Sequence, residues 1–533
     1  MGESWRERAT AWLGRPLGRW SVGAVVFLTC GSPAWLMADE LWPNPIVGDD
    51  LVYLARSRDV PRLVASLWAP HNAHVVPWFR IWTFGLVRLA GGLARLPEVF
   101  TVGAYATLVL VILACGLVVA RETRSTAAGL VTMAFVGTST VIEPALTWYS
   151  SSQSLWAGFG IVAMLLALQS WRATGGRGPL IVAILAVWLA AASWSGGYAA
   201  GPVGLAYLAA DGRRRCLRAA PLPLTAGLVA AAAAVVLSGQ GPLSKANFHE
   251  RSVLQAASPV RGALYTCQAI PEGLVFGNLG LDVPVAGVQG VIFTLALVAL
   301  WAWTARGRRP APLEAAGATL IVVAAMLAYT FRSYLPFESL RSIWVYFALP
   351  HIGLVLFAAG WWSARRGSIP GPPRPPTRGQ ALAVVALLLI LLVTHRSRAQ
   401  RLVIVASSPL TPAERPTFTT QAARRDRGVA LNRELLERQR RYLTRMQEAE
   451  RVAARLGIDR EAIRGEFGPI LGPGWPEGVG DFDVTDVLIL PPRGRPADPA
   501  AVRSALGPLL VPEAEPRPPW LDPGAPWPPR ARR

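Results

Sequence analysis

The stretch VFTVGAYATLVLVILACGLVVA, residues 99–120, carries no charged side chain and indicates the fold class of the whole chain. An α-helix of about 20 apolar residues crosses the hydrocarbon core of a bilayer. Comparable runs lie on both sides of this stretch, at 20–38, 75–92, 126–143, 154–171, 178–194, 197–210, 219–238, 285–305, 313–331, 343–363 and 380–394. These runs predict an all-α membrane protein, a polytopic helical bundle with about 11 to 13 spans.

The amino-acid composition excludes several other classes of protein. Of the 533 residues, 52% are hydrophobic and only 16% are charged, whereas roughly 25% are charged in a typical soluble domain. This balance argues against a disordered chain and against a soluble α/β enzyme. The four cysteines have no close spacing, so we expect neither a disulfide framework nor a zinc site.

The excess of positive charge is distributed as in a membrane protein. The 53 basic and 33 acidic residues give a formal charge of +20. Basic residues form short clusters between the apolar runs, which is typical of cytoplasmic loops and not of a nucleic-acid-binding patch. We therefore expect membrane lipid, and no nucleic acid, among the partners. From residue 121 onward the clusters occupy every second loop, at Arg121/Arg124, Arg172/Arg177, Arg213–Arg218, Arg306–Arg309 and Arg365–Arg378.

This alternation predicts the topology, because basic loops stay in the cytoplasm. The basic N-terminus precedes run 20–38, which we interpret as a retained first helix rather than a cleaved signal peptide. The N-terminus is then cytoplasmic, in a bacterial-type plasma membrane. The segments predicted outside are 39–74, 144–153, 239–284, 332–342 and the tail after residue 395.

One part of this topology is inconsistent. If segment 39–74 is outside and the Arg121/Arg124 pair is inside, the chain must cross the membrane an odd number of times between them. Two apolar runs, an even number, lie in that interval. Run 75–92 contains Arg80 and Arg88, and charges inside a membrane helix are costly. Either that run is tilted, lateral or re-entrant, or the Arg121/Arg124 pair breaks the rule.

The chain divides into three regions. Residues 1–395 form the predicted membrane domain, 396–511 a C-terminal extramembrane region that is α/β or mostly helical, and 512–533 a Pro-rich disordered tail. Of the 33 acidic residues, 17 lie after residue 395, which indicates an aqueous environment. Apolar residues at helical spacing predict an amphipathic helix over 428–456 that ends at Gly457, and Val484–Leu490 predicts a short strand. In its purely structural interpretation, this helix is a packing surface for the membrane domain.

The first outer loop, 39–74, holds the residues best suited to chemistry. It carries GDDLVY at 48–53, and APHNAHVVPWFR follows at 69–80. Adjacent carboxylates, here Asp49 and Asp50, suit general-base catalysis or cation binding. His71 and His74, three residues apart, are predicted to share one helix face, where they bind a metal ion or contact a phosphate.

The same residues also have a purely structural interpretation. Gly-Asp-Asp before the predicted short helix 51–67 is a good N-terminal cap, since an Asp side chain accepts backbone N–H bonds there. His71 and Asn72, after Pro70, could cap the next helix. Both interpretations remain open, and they can apply to different members of the acidic pair.

The segment 48–80 resembles the C superfamily of integral-membrane glycosyltransferases, which includes protein O-mannosyltransferases and aminoarabinose transferases of lipid A. The resemblance consists of an acidic pair after a first N-in helix, then a Pro-His-Asn-x-His motif and an Arg-bearing helix. The many-helix body to about residue 395 matches in outline only. No second acidic motif at a reliable spacing accompanies it, and the tail after 395 has no counterpart in that family.

The resemblance implies a function. It implies a sugar donor linked to polyprenyl phosphate, used on the outer face with inversion at the anomeric carbon. By position, the general base falls on Asp49 or Asp50, and we expect Asp50, nearer Tyr53, to take that role. Tyr53, His71, His74 and Arg80 are then candidate substrate-binding residues. No cofactor is certain, and a divalent metal ion is possible.

Other outer loops offer further candidates for the same site. Glu143, Trp148 and Tyr149 provide a second acid and two aromatic platforms, and Trp194 and Tyr198 provide two more rings. Arg332 and Arg341 are predicted phosphate ligands, since arginine is disfavoured on an outer face without a partner. The alternatives are interfacial belt residues for the aromatic side chains and snorkelling helix-end residues for the two arginines.

Two other function classes compete with the enzyme. A transporter or flippase of lipid-linked saccharide would place ionisable or helix-breaking residues at mid-membrane, whereas the acidic residues here concentrate outside. A non-catalytic membrane scaffold would bind through its tail. The sequence favours chemistry on the outer face.

Overall fold

The structure is a computed structural model of the full chain. The residues that it describes are 23–24, 26–31, 43–46, 49–71, 74–139, 141–142, 144–212, 221–237, 258–276, 278, 287–331, 344–366, 376–399, 421–467, 484–491 and 498–511. Within these ranges the chain is helical and contains no β-strand. The prediction of an all-α fold is therefore confirmed.

Eighteen α-helices follow one another along these ranges, and all except the single turn Pro144–Thr147 are labelled here. They are α1 Asp49–Arg56, α2 Val60–Ser66, α3 Pro77–Ala90, α4 Leu96–Thr123, α5 Thr126–Gly137, α6 Gln153–Thr174, α7 Arg177–Ala191, α8 Ala200–Asp211, α9 Pro221–Leu237, α10 Pro259–Ala269, α11 Gly287–Thr304, α12 Pro312–Thr330, α13 Ala348–Arg366, α14 Arg378–Ala399, α15 Gln421–Leu456, α16 Arg460–Phe467 and α17 Pro499–Leu510. Short 3₁₀ turns at Leu93–Arg95, Tyr149–Ser152, Ser195–Ala199 and Trp344–Phe347 join several of them, and residues Ile270–Phe276 form a π-helical turn after α10.

Among the described residues, four helices are long and apolar enough to cross a membrane. They span Leu93–Thr123, Tyr149–Thr174, Gly287–Thr304 and Pro312–Thr330. Shorter apolar helices of 10–17 residues accompany them. Small residues let the helices approach closely: a Cβ at Gly160 on α6 would lie 2.7 Å from the backbone nitrogen of Ala190 on α7. Such small-residue contacts are typical of helix packing in membranes.

At one end of the bundle, an ion-pair network ties three helices together. Arg172, at the end of α6, donates to Glu122 on α4 and to Asp211 on α8, each at 2.8 Å. The Tyr207 hydroxyl donates to Glu122 at 2.7 Å, and Gln169 donates to the same carboxylate at 2.9 Å. Because each helix contributes at least one partner, the network fixes their relative positions at this end.

The first loop contains two short helices where the sequence predicted one, over 51–67. α1 ends at Arg56 and α2 begins at Val60. Asp59 caps α2, because its Oδ1 accepts the Arg62 N–H at 2.8 Å, and Pro61 fits the first turn. Asp59, which lies outside the acidic pair, thus caps a helix by a direct hydrogen bond.

Run 75–92 forms α3, a helix of 14 residues that ends at Gly91, which has the left-handed φ of 63°. The residue before the helix is Val76, whose side chain makes no capping hydrogen bond. Asn72 lies outside the described residues, so the capping of this helix by His71 or Asn72 stays an expectation. Its buried face carries Phe79, Arg80 and Thr83, whereas Leu89 is exposed.

The tail helix predicted over 428–456 is α15, Gln421–Leu456, and Gly457 after it has a φ of 70°. The predicted strand Val484–Leu490 is wrong. Val484–Asp486 is a 3₁₀ turn, and irregular chain follows it. The carbonyls of Asp486, Val487 and Leu488 accept hydrogen bonds from arginine side chains of the first loop rather than from a neighbouring strand. Over its described residues, the region after 395 is mostly helical and contains no strand.

Candidate functional site

The acidic pair begins α1, a helix packed against α3 and the 3₁₀ turn Tyr149–Ser152. Leu51, Tyr53 and Leu54 are almost completely buried and anchor the helix. Asp49 and Asp50 occupy the first turn, where the helix dipole favours negative charge. The two carboxylates nevertheless have different surroundings.

Asp50 points into the protein. It is 0% exposed, and its Oδ1 accepts the backbone N–H of Ser150 at 2.7 Å. Burial of a carboxylate is costly unless hydrogen bonds replace the lost water. This bond links α1 to a turn 100 residues further along the chain. Asp50 therefore joins two segments of the candidate site.

Asp49 lies at the edge of the same cluster. Its side chain is 25% exposed, and its Oδ1 is 3.1 Å from Nε2 of His71, whose side chain is 13% exposed. A carboxylate beside an imidazole is an arrangement that accepts and holds a proton. Among the two carboxylates, Asp49 is the one that an external molecule can reach without rearrangement.

The two histidines point in different directions, and the prediction that they share a helix face is wrong. His71 and His74 close a tight turn, in which the backbone N–H of each donates to the carbonyl of the other at 2.9 Å. His74 is buried, and its Nδ1 lies 2.7 Å from the Ser195 hydroxyl. Its ring also lies near Trp194 and Phe331.

Two arginines support this turn. Arg80 donates to the carbonyl of Ala69 at 2.7 Å, and Arg56 donates to the carbonyl of Pro70 at 3.3 Å. Arg80 is 0% exposed, and its guanidinium lies 5.7 Å from the centroid of the Tyr53 ring. A charged guanidinium stacks well on an aromatic face. Both arginines therefore hold the chain just before His71.

Aromatic side chains complete the packing around the acidic pair. The Tyr53 ring contacts His71 and Phe79 edge-on, each with ring centroids 5.1 Å apart. Tyr149 stacks on Phe100 at 4.0 Å, and its hydroxyl lies 2.8 Å from that of Thr83. Tyr149 is thus part of the core under the site.

The other predicted site residues are distributed as follows. Trp148 is partly exposed beside Tyr149. Trp194 stacks on Tyr346 with ring centroids 5.9 Å apart, and Tyr198 packs against Phe331. Glu143, Arg332 and Arg341 lie outside the described residues. The structure therefore brings together Asp49, Asp50, Tyr53, His71 and Arg80, with His74 on the far side of the turn.

A metal site requires several ligands in one place. The described ranges contain no group of three or more His, Cys, Asp or Glu side chains arranged to hold a metal ion. Asp49 and His71 supply two ligands of the right chemistry, but Asp50 bonds to Ser150. The cluster fits proton transfer better than metal binding.

Sequence reasoning missed several residues that build this site. Ser150 contributes a backbone N–H, which any residue provides, so no signal marked it. Ser195 lies in the Trp-Ser-Gly-Gly-Tyr segment that was noted for its rings. Gln439 on α15 is 1% exposed and bonds to the chain just before the acidic pair. A polar residue within the apolar stripe of a helix was a usable signal for Gln439.

Comparison with protein families, with curated proteins and with solved structures found no match for this chain.

Proposed function

We propose that this chain is a membrane glycosyltransferase that moves a sugar from a polyprenyl phosphate to an acceptor of the cell envelope. The observation that carries the proposal is the Asp49–His71 pair, whose Oδ1 and Nε2 atoms are 3.1 Å apart and whose side chains are partly exposed. Buried polar residues support this pair, and the chain around it contains helices apolar enough to cross a membrane. A proton acceptor at the edge of an apolar bundle suits a reaction between a lipid-linked donor and a water-facing acceptor. The resemblance of segment 48–80 to the C superfamily of glycosyltransferases points the same way.

We assign the general base to Asp49 rather than to Asp50. A general base must come within hydrogen-bonding reach of the proton that it removes. Asp49 is 25% exposed on its side chain, whereas Asp50 is completely buried and accepts the Ser150 N–H. Asp50 then fixes the helix that presents Asp49. His71 orients the Asp49 carboxylate through its Nε2.

The reaction proceeds by direct displacement. The acceptor hydroxyl gives its proton to the Asp49 carboxylate as its oxygen bonds to the anomeric carbon. The bond between that carbon and the phosphate oxygen breaks, and the polyprenyl phosphate leaves with the electron pair. Displacement from one face inverts the anomeric centre. Arg332 and Arg341 remain our candidates to neutralise the leaving phosphate, because arginine binds phosphate in a bidentate manner.

The proposal includes a topology in which α3 does not cross the membrane. α3 carries Arg80 and Arg88, and charges inside a membrane-spanning helix are costly. At the start of α3, the carbonyl of Arg80 accepts a hydrogen bond from the Ser57 hydroxyl. Arg58, which follows Ser57, donates to the carbonyl of Val487 in the tail. At the other end, Gly92 lies against Gln447 of α15. Both ends of α3 therefore face the tail.

If α3 lies along the membrane instead of crossing it, the alternation of basic loops agrees with the predicted topology. The start of α4 also faces the tail, since Glu98 pairs with Arg440 of α15. One crossing by α4 then brings Arg121 and Arg124 to the cytoplasm. Eleven crossings result, formed by run 20–38, α4, α5, α6, α7, α8, α9, α11, α12, α13 and α14. The N-terminus is cytoplasmic, and the tail and the candidate site are outside.

A reporter enzyme that works only in the cytoplasm tests this topology. Fused after Arg533 it should be inactive, and fused after Arg309 it should be active. Activity at the C-terminal position would overturn the placement of the site on the outer face.

The function is tested by deleting the gene, restoring it as variants, and measuring envelope glycans and polyprenyl-phosphate sugars by mass spectrometry. Deletion should remove one glycan substituent and leave its lipid-linked donor in excess. The wild type should restore it, whereas Asp49→Asn should transfer sugar roughly 10²–10⁴-fold more slowly, the usual contribution of a general base. Asp50→Asn keeps an oxygen for the Ser150 N–H and should retain most of the rate.

The outcomes separate the competing functions. Loss of activity in Asp50→Asn but not in Asp49→Asn would exchange their roles and keep the enzyme. A wild-type rate in both variants, with the glycan still dependent on the gene, would favour a flippase. An unchanged glycan profile after deletion would favour a scaffold and refute the transferase.

A further inference from the structure

The C-terminal region contacts the first loop through a side-chain amide. Gln439 of α15 accepts the Ile46 N–H on its Oε1 at 2.9 Å and donates from its Nε2 to the Ile46 carbonyl at 2.6 Å. Both backbone polar groups of Ile46 are thus bound by one side chain, in the manner of a strand neighbour. Ile46 lies three residues before Asp49, so this contact fixes the chain that enters α1.

The same region also holds the chain that leaves α1. Arg58, 8% exposed, donates to the Val487 carbonyl at 2.9 Å and pairs with Glu450 of α15. Arg62 donates to the Asp486 carbonyl at 2.6 Å. Burial lowers the pKa of Arg62, and the nearby Asp59 carboxylate opposes that shift. A guanidinium remains charged at physiological pH, so these bonds persist.

The position of Gln439 on α15 indicates that this residue sets a specific geometry as well as filling space. It lies on the buried side of the helix, between Leu435 and Tyr442, and Met446 follows on the same side. An apolar residue there would extend the stripe and avoid the cost of burying an amide. A hydrogen-bonded polar side chain adds geometric specificity instead, because a buried amide is satisfied in one arrangement only.

We propose that the C-terminal region is part of the catalytic unit and that Gln439 is a positioning residue that sets the location of Asp49. This inference rests on the proposed function. α1 is short and begins with the acidic pair, and the tail binds the chain on both sides of it. Displacement of a reacting group by about 1 Å can cost 10²-fold in rate. The tail therefore acts on the reaction through Asp49 and needs no contact with the substrate.

Two substitutions at Gln439 test the inference in the full-length protein. Gln439→Leu removes both bonds to Ile46 and keeps the apolar packing of α15. Gln439→Glu keeps the shape, and when protonated its carboxyl donates and accepts as the amide does. When ionised it can only accept, so it repels the Ile46 carbonyl. The ratio of the Gln439→Glu rate to the wild-type rate should therefore be close to one at low pH and should fall as the pH rises.

Two measurements are made on each variant in lipid nanodiscs. The first is hydrogen exchange of residues 49–56, which requires no activity. The second is turnover of synthetic polyprenyl-phosphate hexoses and pentoses, with membranes from the gene-deleted cells as acceptor. Gln439→Leu should raise exchange in α1 and lower kcat by about 10- to 100-fold, with KM nearly unchanged. The matched control is Arg451→Gln, whose side chain on the same helix is 64% exposed.

The outcomes decide the inference independently of the proposed function. Unchanged exchange in α1 for Gln439→Leu, or a rate that falls only with the folded fraction, would overturn it. So would a Gln439→Glu rate ratio that does not vary with pH. If the wild type transfers no sugar, the proposed function fails, whereas faster exchange in α1 alone would still show that the tail positions this helix.

Discussion

Two regions of this protein bury charged groups, and they do so in different ways. In the network at the ends of α4, α6 and α8, charged side chains bond to one another: Arg172 pairs with Glu122 and Asp211. In the cluster around α1, the most buried charges bond to backbone. Asp50 accepts the Ser150 N–H, and Arg80 donates to the Ala69 carbonyl. The pair that is partly open, Asp49 and His71, is a contact between two ionisable side chains.

The difference indicates what each region does. Side-chain pairs between long helices hold those helices in register, and they can be exchanged for apolar residues only together. The cluster around α1 is built on short helices and turns, which a rigid bundle supports at its edge, as functional residues often are. Its backbone bonds fix the supporting charges, and a carboxylate and an imidazole are presented at the surface.

The largest effect is expected from removing the centre of the ion-pair network. Arg172→Leu leaves the Glu122 and Asp211 carboxylates without their cation at a partly buried position. Breaking a buried pair from one side typically costs about 3–5 kcal/mol of the free energy of unfolding. Thermal unfolding of the purified protein in detergent measures this loss. Arg177→Leu, at the exposed first residue of α7, is the control and should change stability by less than about 0.5 kcal/mol.

Transfer activity of the surviving folded Arg172→Leu protein should be close to wild type. If activity were lost while the stability matched that of Arg177→Leu, the network would be functional and the contrast between the two regions would fail.

A smaller effect on rate, with little on stability, is expected at the surface pair. His71→Phe keeps the ring packed against Tyr53 and removes the nitrogen next to Asp49. We expect transfer to slow by about 10- to 100-fold, since an orienting group acts through geometry. Unfolding should change by less than about 1 kcal/mol, because pairs with solvent access contribute little.

A second variant sharpens this result. His71→Gln retains an N–H that can reach Asp49 and should recover part of the rate. Full activity in both variants would mean that the pair only stabilises the loop, so that the cluster around α1 would be a structural network like that of Arg172.

Much of the fold followed from hydropathy alone. Every apolar run contains a helix over its described residues, because the spacing and length of such runs reflect one local property. The acidic pair and His71 could also be singled out, since ionisable side chains are rare in an apolar chain. These predictions depend on composition over a short window, which sequence reports directly.

The arrangement within the site did not follow, because it depends on contacts distant in sequence. The preference for Asp50 over Asp49 rested on its distance from Tyr53, whereas the structure pairs Asp50 with the Ser150 N–H and Gln439 with the chain before α1. His71 and His74 were placed on a helix by their spacing, but the turn between Pro70 and Val75 is closed by backbone bonds. The strand expected at Val484–Leu490 had a suitable composition and lacked a partner strand, since arginine side chains take its carbonyls.

The smallest effect is expected at Asp59, which separates capping from chemistry within one loop. Asp59 lies outside the acidic pair, and its Oδ1 accepts the Arg62 N–H at the start of α2. Asp59→Asn should leave both stability and transfer unchanged, because Asn caps a helix nearly as well as Asp. Asp59→Ala should cost about 1 kcal/mol of the free energy of unfolding with the rate of the folded protein preserved.

Comparing Asp59 with Asp49 distinguishes a carboxylate that caps a helix from one that takes part in the reaction. Both residues are Asp side chains of the same loop, and both begin a short helix, so a general need for negative charge would make their Asn variants behave alike. If the site is chemical, Asp49→Asn loses transfer at unchanged stability, whereas Asp59→Ala loses stability at unchanged transfer. If Asp59→Asn abolished transfer as Asp49→Asn does, the loop would act through its total charge, and assigning the base to one carboxylate would be wrong.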